Sequence, residues 1–132
     1  MEKQKKEKAD LKKILVIEDE PALREAINIK LENEGFCCLL ASSAEEGLKI
    51  LEQEKPDLVW LDLLMPGMGG FAFLEKIRKQ KKWKDLIVVI VSVSASSEKI
   101  RRAFELNVAD YLVKSQFQLG DIVKRINTFL KK

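Results

Sequence analysis

A chain of 132 residues, 46% of them hydrophobic, is sized for one domain around a single core and is too short for two. Its net charge of +3 lies in residues 1–13, where six lysines face Glu2, Glu7 and Asp10; this leaves 18 of the 24 basic and 18 of the 21 acidic residues in balance, which argues against direct nucleic-acid binding. No apolar run is long enough to span a bilayer and the charged N-terminus lacks a secretory hydrophobic stretch, so a cytoplasmic protein is expected.

Residues 1–12 read as a basic, flexible leader, and 13–132 as the folded domain. The apolar run Ile14–Ile17 predicts a first strand ending on Glu18 and Asp19. Pro21 suits a first helical turn, Leu23, Ile27 and Leu31 form one stripe, and Gly35 can terminate that helix. "FCCLLA" (36–41) predicts a second strand whose adjacent Cys37 and Cys38 cannot cross-link distant segments and are expected to be buried, reduced thiols. With no histidine and no second cysteine pair, a zinc site has no ligand set. Ser43 with Glu46 reads as a capping box for a helix carrying Leu48 and Leu51.

A third strand, "LVWL" (58–61), delivers Asp62 to a Met65-Pro66-Gly67 turn, and a third helix follows with Phe73 or Leu74 and Ile77. "LIVVIV" (86–91) predicts the fourth strand, followed by Ser92 and a helix marked by Ile100, Ala103 and Phe104. "YLV" (111–113) predicts the fifth, followed by Lys114 and a last helix with Leu119, Ile122, Ile126 and Phe129. Continuous Val/Ile-rich runs suit strands covered on both faces, and five strand–helix repeats call for an α/β, (βα)5 doubly wound parallel sheet. All five strands then end at one edge, where such sheets bind their ligands.

The residues at those ends are Glu18 and Asp19, Asp62, Ser92 and Lys114. Each alone has an ordinary explanation as a cap, a turn residue or a solvated cation; four strands delivering such groups to one edge is a constellation. Clustered carboxylates repel unless a cation sits among them, and oxygen-only ligands with room for water and phosphate suit Mg²⁺. An aspartate so placed can act as a nucleophile toward a phosphoryl group, with Lys114 neutralising its oxygens and the Ser92 hydroxyl bonding one of them.

"ILVIEDE", "LVWLDLLMPGMGGF" and "NVADYLVKS" together resemble the acidic-pair, phosphoacceptor and switch-aromatic/lysine segments of the receiver domain of two-component response regulators, from about Lys13 onward. The resemblance implies a flavodoxin-like fold with strand order 2-1-3-4-5. It implies Asp62 as phosphoacceptor; Asp19, Asp62 and the main-chain carbonyl of Leu64 as direct Mg²⁺ ligands; and Glu18 acting through water. Ser92 takes the switch hydroxyl position, ahead of Ser94, because it follows the apolar run directly and lies 19 residues before Tyr111. Tyr111 takes the switch aromatic position and Lys114 that of the phosphate-pairing amine.

Departures from the family pattern carry expectations of their own. Ser115 replaces the usual proline after Lys114, so a trans bond is expected there. Asn107 replaces a glycine and should serve as a left-handed helix cap; Gly69 replaces an acidic residue and should loosen its turn. Val93 adds bulk beside the switch hydroxyl, and Leu64 offers nothing to orient an attacking water, so slow self-dephosphorylation is expected.

The expected function is a phosphoacceptor signalling module, not an enzyme, charged by a sensor histidine kinase or histidine phosphotransfer protein. The chain has no histidine of its own to act as donor. Because it ends about where the fifth helix ends, output is expected through protein contacts on the face of the fourth helix, fifth strand and fifth helix, including Arg101, Arg102 and Tyr111. The state is expected to be a monomer or a phosphorylation-dependent dimer. The alternatives are a pseudo-receiver that binds partners without phosphorylation and a nucleotide or flavin binder. The second is disfavoured because "IEDEPA" places acids, not a glycine-rich phosphate loop, after the first strand.

Overall fold

The computed structural model describes residues 10–130. Five parallel strands, β1 (Lys13–Ile17), β2 (Cys37–Ala41), β3 (Leu58–Leu61), β4 (Ile87–Ser92) and β5 (Asp110–Val113), form one sheet in the order β2-β1-β3-β4-β5. This is the α/β, flavodoxin-like architecture expected, and the reversal of strand order falls between β1 and β3. The basic leader expected over residues 1–12 falls almost wholly outside the described residues. Among the described residues no helix is long and apolar enough to cross a membrane.

Side chains alternate across the pleat, and this divides the core in two. Leu15, Ile17, Val59, Leu61, Val88, Ile90 and Tyr111 pack on one side, under α2 (Ala44–Gln53), α3 (Gly69–Arg78) and α4 (Ser97–Glu105). Ile14, Val16, Leu58, Trp60, Val89, Val91 and Leu112 pack on the other, under α1 (Pro21–Asn33) and α5 (Leu119–Leu130). The central strands β1 and β3 are buried along nearly their whole length, which is why they read as unbroken apolar runs.

The helix ends follow the expected punctuation. Pro21 opens α1, and at its end Gly35 (φ 93°) closes a Schellman motif in which Phe36 N–H donates to the Leu31 carbonyl and Gly35 N–H to that of Glu32. Phe36 is therefore spent on the cap, and β2 starts one residue later than the apolar run suggested. Asn107 (φ 63°) makes the same motif after α4, donating to Phe104 while Val108 N–H donates to Ala103. It fills the glycine position as expected, since asparagine tolerates this region best among residues with a side chain.

Other expectations need correction. Ser43 caps α2 through Glu46 N–H, but the Glu46 carboxylate accepts from the Ser42 main-chain N–H and hydroxyl, one residue outside a reciprocal box. Phe104, assigned to the buried stripe of α4, is 48% exposed; Ala103 is the buried residue of that helix, which lies over the short strand β5 near the sheet edge. Cys37 and Cys38 are free but half-buried, because β2 is an edge strand. Burial first, then the charge of Glu32, pushes the Cys38 thiol up to about 12, so it carries almost no thiolate at neutral pH. Gly69 adopts φ 78°, so it meets a left-handed backbone requirement in the turn before α3.

Candidate functional site

The sheet ladder continues one residue past the strand ends: Glu18 N–H donates to the Ala41 carbonyl at 3.1 Å and Asp62 N–H to that of Ile17 at 3.1 Å. The pleat therefore still sets direction there. Glu18, Asp62 and Lys114 continue the rows of Val16, Trp60 and Leu112 on the α1/α5 side, whereas Ser92 and Tyr111 belong to the rows facing α3 and α4. One functional group of residues thus overhangs each side of the sheet at the same edge.

On the first side the structure brings Glu18, Asp19 and Asp62 together, each offering an oxygen within 4.8 Å of the others'. Lys114 Nζ lies 2.9 Å from Glu18 Oε1 and 3.5 Å from Asp62 Oδ2. Glu18 is 1% exposed; its second oxygen accepts from Glu20 N–H at 3.2 Å, so both are engaged within the protein. Asp62 is 4% exposed and its Oδ1 accepts from Leu64 N–H at 3.2 Å. Burial pushes the Asp62 carboxyl up to about 6: Lys114 opposes this, Glu18 adds to it, and the Leu64 hydrogen bond opposes it. Burial works the other way on Lys114, but the Glu18 hydrogen bond and the negative charge of Asp62 outweigh it and raise that ammonium above its ordinary value.

On the second side, Ser92 is fully buried and its hydroxyl oxygen accepts from Ser94 N–H at 3.3 Å; it is not hydrogen-bonded to Asp62. The Tyr111 hydroxyl donates to the Ser94 main-chain carbonyl, and Lys99 Nζ to the Ser94 hydroxyl. Tyr111 is only 9% exposed, which corrects its assignment as part of an exposed output surface. Burial, then the charge of Asp62, raises its phenol. Ser94, weighed as a rival to Ser92, sits at the junction of this network with all three of its polar groups bonded.

The loop between the two sides is held closely. Gly70 N–H donates to the Leu63 carbonyl, and a Cβ on Gly70 would lie 2.7 Å from the Asp62 carbonyl oxygen and from Leu63 Cα. Across the loop, the Glu45 carboxylate accepts from Met68 N–H at 3.1 Å. Arg24 donates to the Glu18 carbonyl at 2.8 Å, fixing the β1–α1 turn. Neither Glu45 nor Arg24 was singled out from the sequence. Glu45 reads there as an ordinary first-turn acid, and Arg24, a turn into α1, carries a weak signal as a cation facing back toward an acidic loop. Leu64 and Val93 are 48% and 62% exposed at the rim, and the Lys114–Ser115 bond is trans, as expected.

The donor set is three carboxylates with no histidine or thiolate, and their mutual repulsion is offset within the protein by a single ammonium. These residues fit a hard divalent cation.

A five-stranded sheet of this order with an acidic cluster and a lysine at its ligand edge defines a receiver, and the response regulator receiver domain family model matches residues 14–127. The chain belongs to that family, a class of signalling module in two-component systems. Among curated relatives it is 33% identical over 123 residues to the alkaline phosphatase synthesis transcriptional regulatory protein PhoP of Bacillus subtilis. It is 30% identical over 121 residues to the phosphate regulon transcriptional regulatory protein PhoB of Escherichia coli. Each match covers 92% of this chain but 49% and 52% of those proteins, so the chain spans about half the length of the curated relatives it matches. A solved receiver domain protein of Methanospirillum hungatei superposes with a TM-score of 0.84 at 29% identity, over 92% of this chain and 94% of that one. The Mn²⁺-bound form of response regulator Rcp1 gives 0.80 at 26% identity, over 89% and 93%.

Proposed function

We propose that the chain is a phosphoacceptor switch in which Asp62 accepts a phosphoryl group from a sensor histidine kinase or a histidine phosphotransfer protein. The observation that carries this reading is a buried carboxylate, Asp62, grouped with Glu18 and Asp19 at the carboxyl edge of the sheet and 3.5 Å from a lysine. Asp19, Asp62 and the Leu64 carbonyl would hold Mg²⁺ directly and Glu18 through water. The Mn²⁺ in the Rcp1 structure is an ion of the same oxygen-preferring class. A bound Mg²⁺ supplies neutralisation of the carboxylates and of the charge on phosphoryl oxygens.

The residues divide the remaining work. Leu64 N–H orients the Asp62 carboxylate by its hydrogen bond to Oδ1, leaving Oδ2 to form the new O–P bond as the donor's P–N bond breaks. Lys114, already between Glu18 and Asp62, moves its ammonium toward the transferred group's oxygens. The Ser92 hydroxyl, which accepts from Ser94 N–H, donates its proton to a phosphoryl oxygen, and because Ser94 also holds Tyr111 and Lys99, the β4–α4 loop feels any movement of that hydroxyl. Output passes through the α4-β5-α5 face to a downstream protein, in a monomer or a phosphorylation-dependent dimer. Phe104, Arg101 and Arg102 are exposed on α4 for this purpose.

Beryllium fluoride, a non-transferable stand-in for a phosphoryl group on a carboxylate, tests the site. Protein-bound ¹⁹F resonances should require Mg²⁺ and disappear in Asp62→Asn; resonances that persist in that variant would place the acceptor elsewhere.

A further inference from the structure

The two edges of the sheet are guarded differently. β5 opens on Asp110, which holds an ion pair with Arg125 at 2.6 Å. β2, the other edge, reads Cys37-Cys38-Leu39-Leu40-Ala41, with no charge, no proline and no bulge in its register with β1. Its first four side chains are half-buried, so water reaches an apolar edge. Proteins usually blunt such an edge, because its unpaired N–H and C=O groups are a template for another strand.

The hydrogen bonds fix which groups those are. Cys37 N–H donates to the Lys12 carbonyl, and the Ala41 carbonyl accepts from Glu18 N–H. Main-chain direction alternates along a strand, so Cys37, Leu39 and Ala41 bond to β1. Cys38 and Leu40 turn their N–H and C=O away from the sheet, where no strand follows among the described residues. The free stretch is bounded at both ends: Phe36 N–H donates to the Leu31 carbonyl, and Ser42 N–H to the Glu46 carboxylate.

Two residues with four free groups select one register. When two such strands pair antiparallel, Cys38 of each faces Leu40 of the other, and each facing pair exchanges two hydrogen bonds. All four groups are then met on both strands, and a two-fold axis runs through the facing Leu39 pair. Sliding by two residues either way would set Cys38 or Leu40 against Ser42 or Phe36, whose N–H groups are already engaged.

We propose that β2 is an interface for a second copy of this chain, paired antiparallel about Leu39 so that two sheets become one. It lies at the edge opposite β5, away from the α4-β5-α5 face, and pairing needs neither metal nor phosphate. Its test is therefore independent of the phosphoacceptor reading.

The intact chain in EDTA is followed by sedimentation and by main-chain amide exchange from about 10 µM to about 1 mM, a range suited to a small interface. The expected result is a dimer that grows with concentration while the Cys38 and Leu40 amides become protected about tenfold or more. The Leu39 amide, already bonded to β1, serves as internal reference. Leu39→Lys and Leu39→Glu set like charges directly opposite each other, so each alone should stay monomeric and the two mixed should associate. Leu39→Cys, in a chain also carrying Cys37→Ser and Cys38→Ser, should form a disulfide dimer on mild oxidation, because the facing Cα atoms of such a pair lie about 4.5 Å apart. A chain that stays monomeric with both amides exchanging freely, protection that does not depend on concentration, or a dimer that Leu39→Cys fails to cross-link would overturn the assignment.

Discussion

Asp62 is held in its ionised form at a cost. Its carboxyl rises from 3.8 to about 6 on folding, chiefly through burial, so between those values the folded protein holds a proton that the unfolded chain has released. In the metal-free protein the destabilisation is therefore full above about pH 6, roughly 3 kcal/mol, and is relieved as pH falls toward 4. Asp62→Asn should stabilise the protein in EDTA at pH 7.5 by about 1–2 kcal/mol, less than the whole because Lys114 loses a partner, and the gain should shrink at pH 5. Urea unfolding at the two pH values checks this, and a gain that grew on acidification would contradict it. Leu64 makes the second residue-scale prediction. Exposed and apolar two residues after Asp62, it cannot hold a water for attack on the acyl phosphate. Leu64→Asn should shorten the phosphoryl lifetime about tenfold or more, as measured by loss of label in Mg²⁺ buffer.

Among the elements, the links between α3 and its neighbours are set by single residues. Arg78 near the end of α3 donates to the carbonyls of Leu106 and Asn107 after α4, and of Trp83 and Lys84 before β4. A lysine cannot reproduce that fork, so Arg78→Lys should cost about 2 kcal/mol in denaturant unfolding. Gly70→Ala should cost at least as much and weaken phosphorylation too, because its Cβ meets backbone of the Asp62 segment, whereas Gly35→Ala, open in space but at φ 93°, should cost about 1 kcal/mol and leave phosphorylation intact. These contacts also show where sequence reading stops. The runs "ILVI" and "LVWL" announce their strands because both faces are buried, and Gly35 and Asn107 announce helix ends because few residues take a positive φ. Arg78 is silent in sequence, as its four partners are main-chain carbonyls that any residues would supply. Phe104 misleads because helical spacing gives a face but not whether the sheet reaches far enough to cover it.

For the whole molecule, the five polar groups named from sequence do arrive at one edge, as the parallel topology requires, but their pairing was not legible. Lys114 sits closer to Glu18, 96 residues away, than to Asp62, and Tyr111 turns inward to a main-chain carbonyl. Both are choices among neighbours made by packing. The acidic cluster also ties stability to metal: a tenfold excess of Mg²⁺ over its dissociation constant should add about 1.4 kcal/mol, visible as a raised thermal midpoint that EDTA reverses and Asp19→Asn abolishes. The central claim, that Asp62 is a phosphoacceptor, is tested most directly by incubating the chain with acetyl phosphate and Mg²⁺ and weighing it intact. The account predicts one added phosphoryl group that hydroxylamine removes and that Asp62→Asn does not acquire. No adduct on a chain shown to bind Mg²⁺, or an adduct retained by Asp62→Asn, would contradict it.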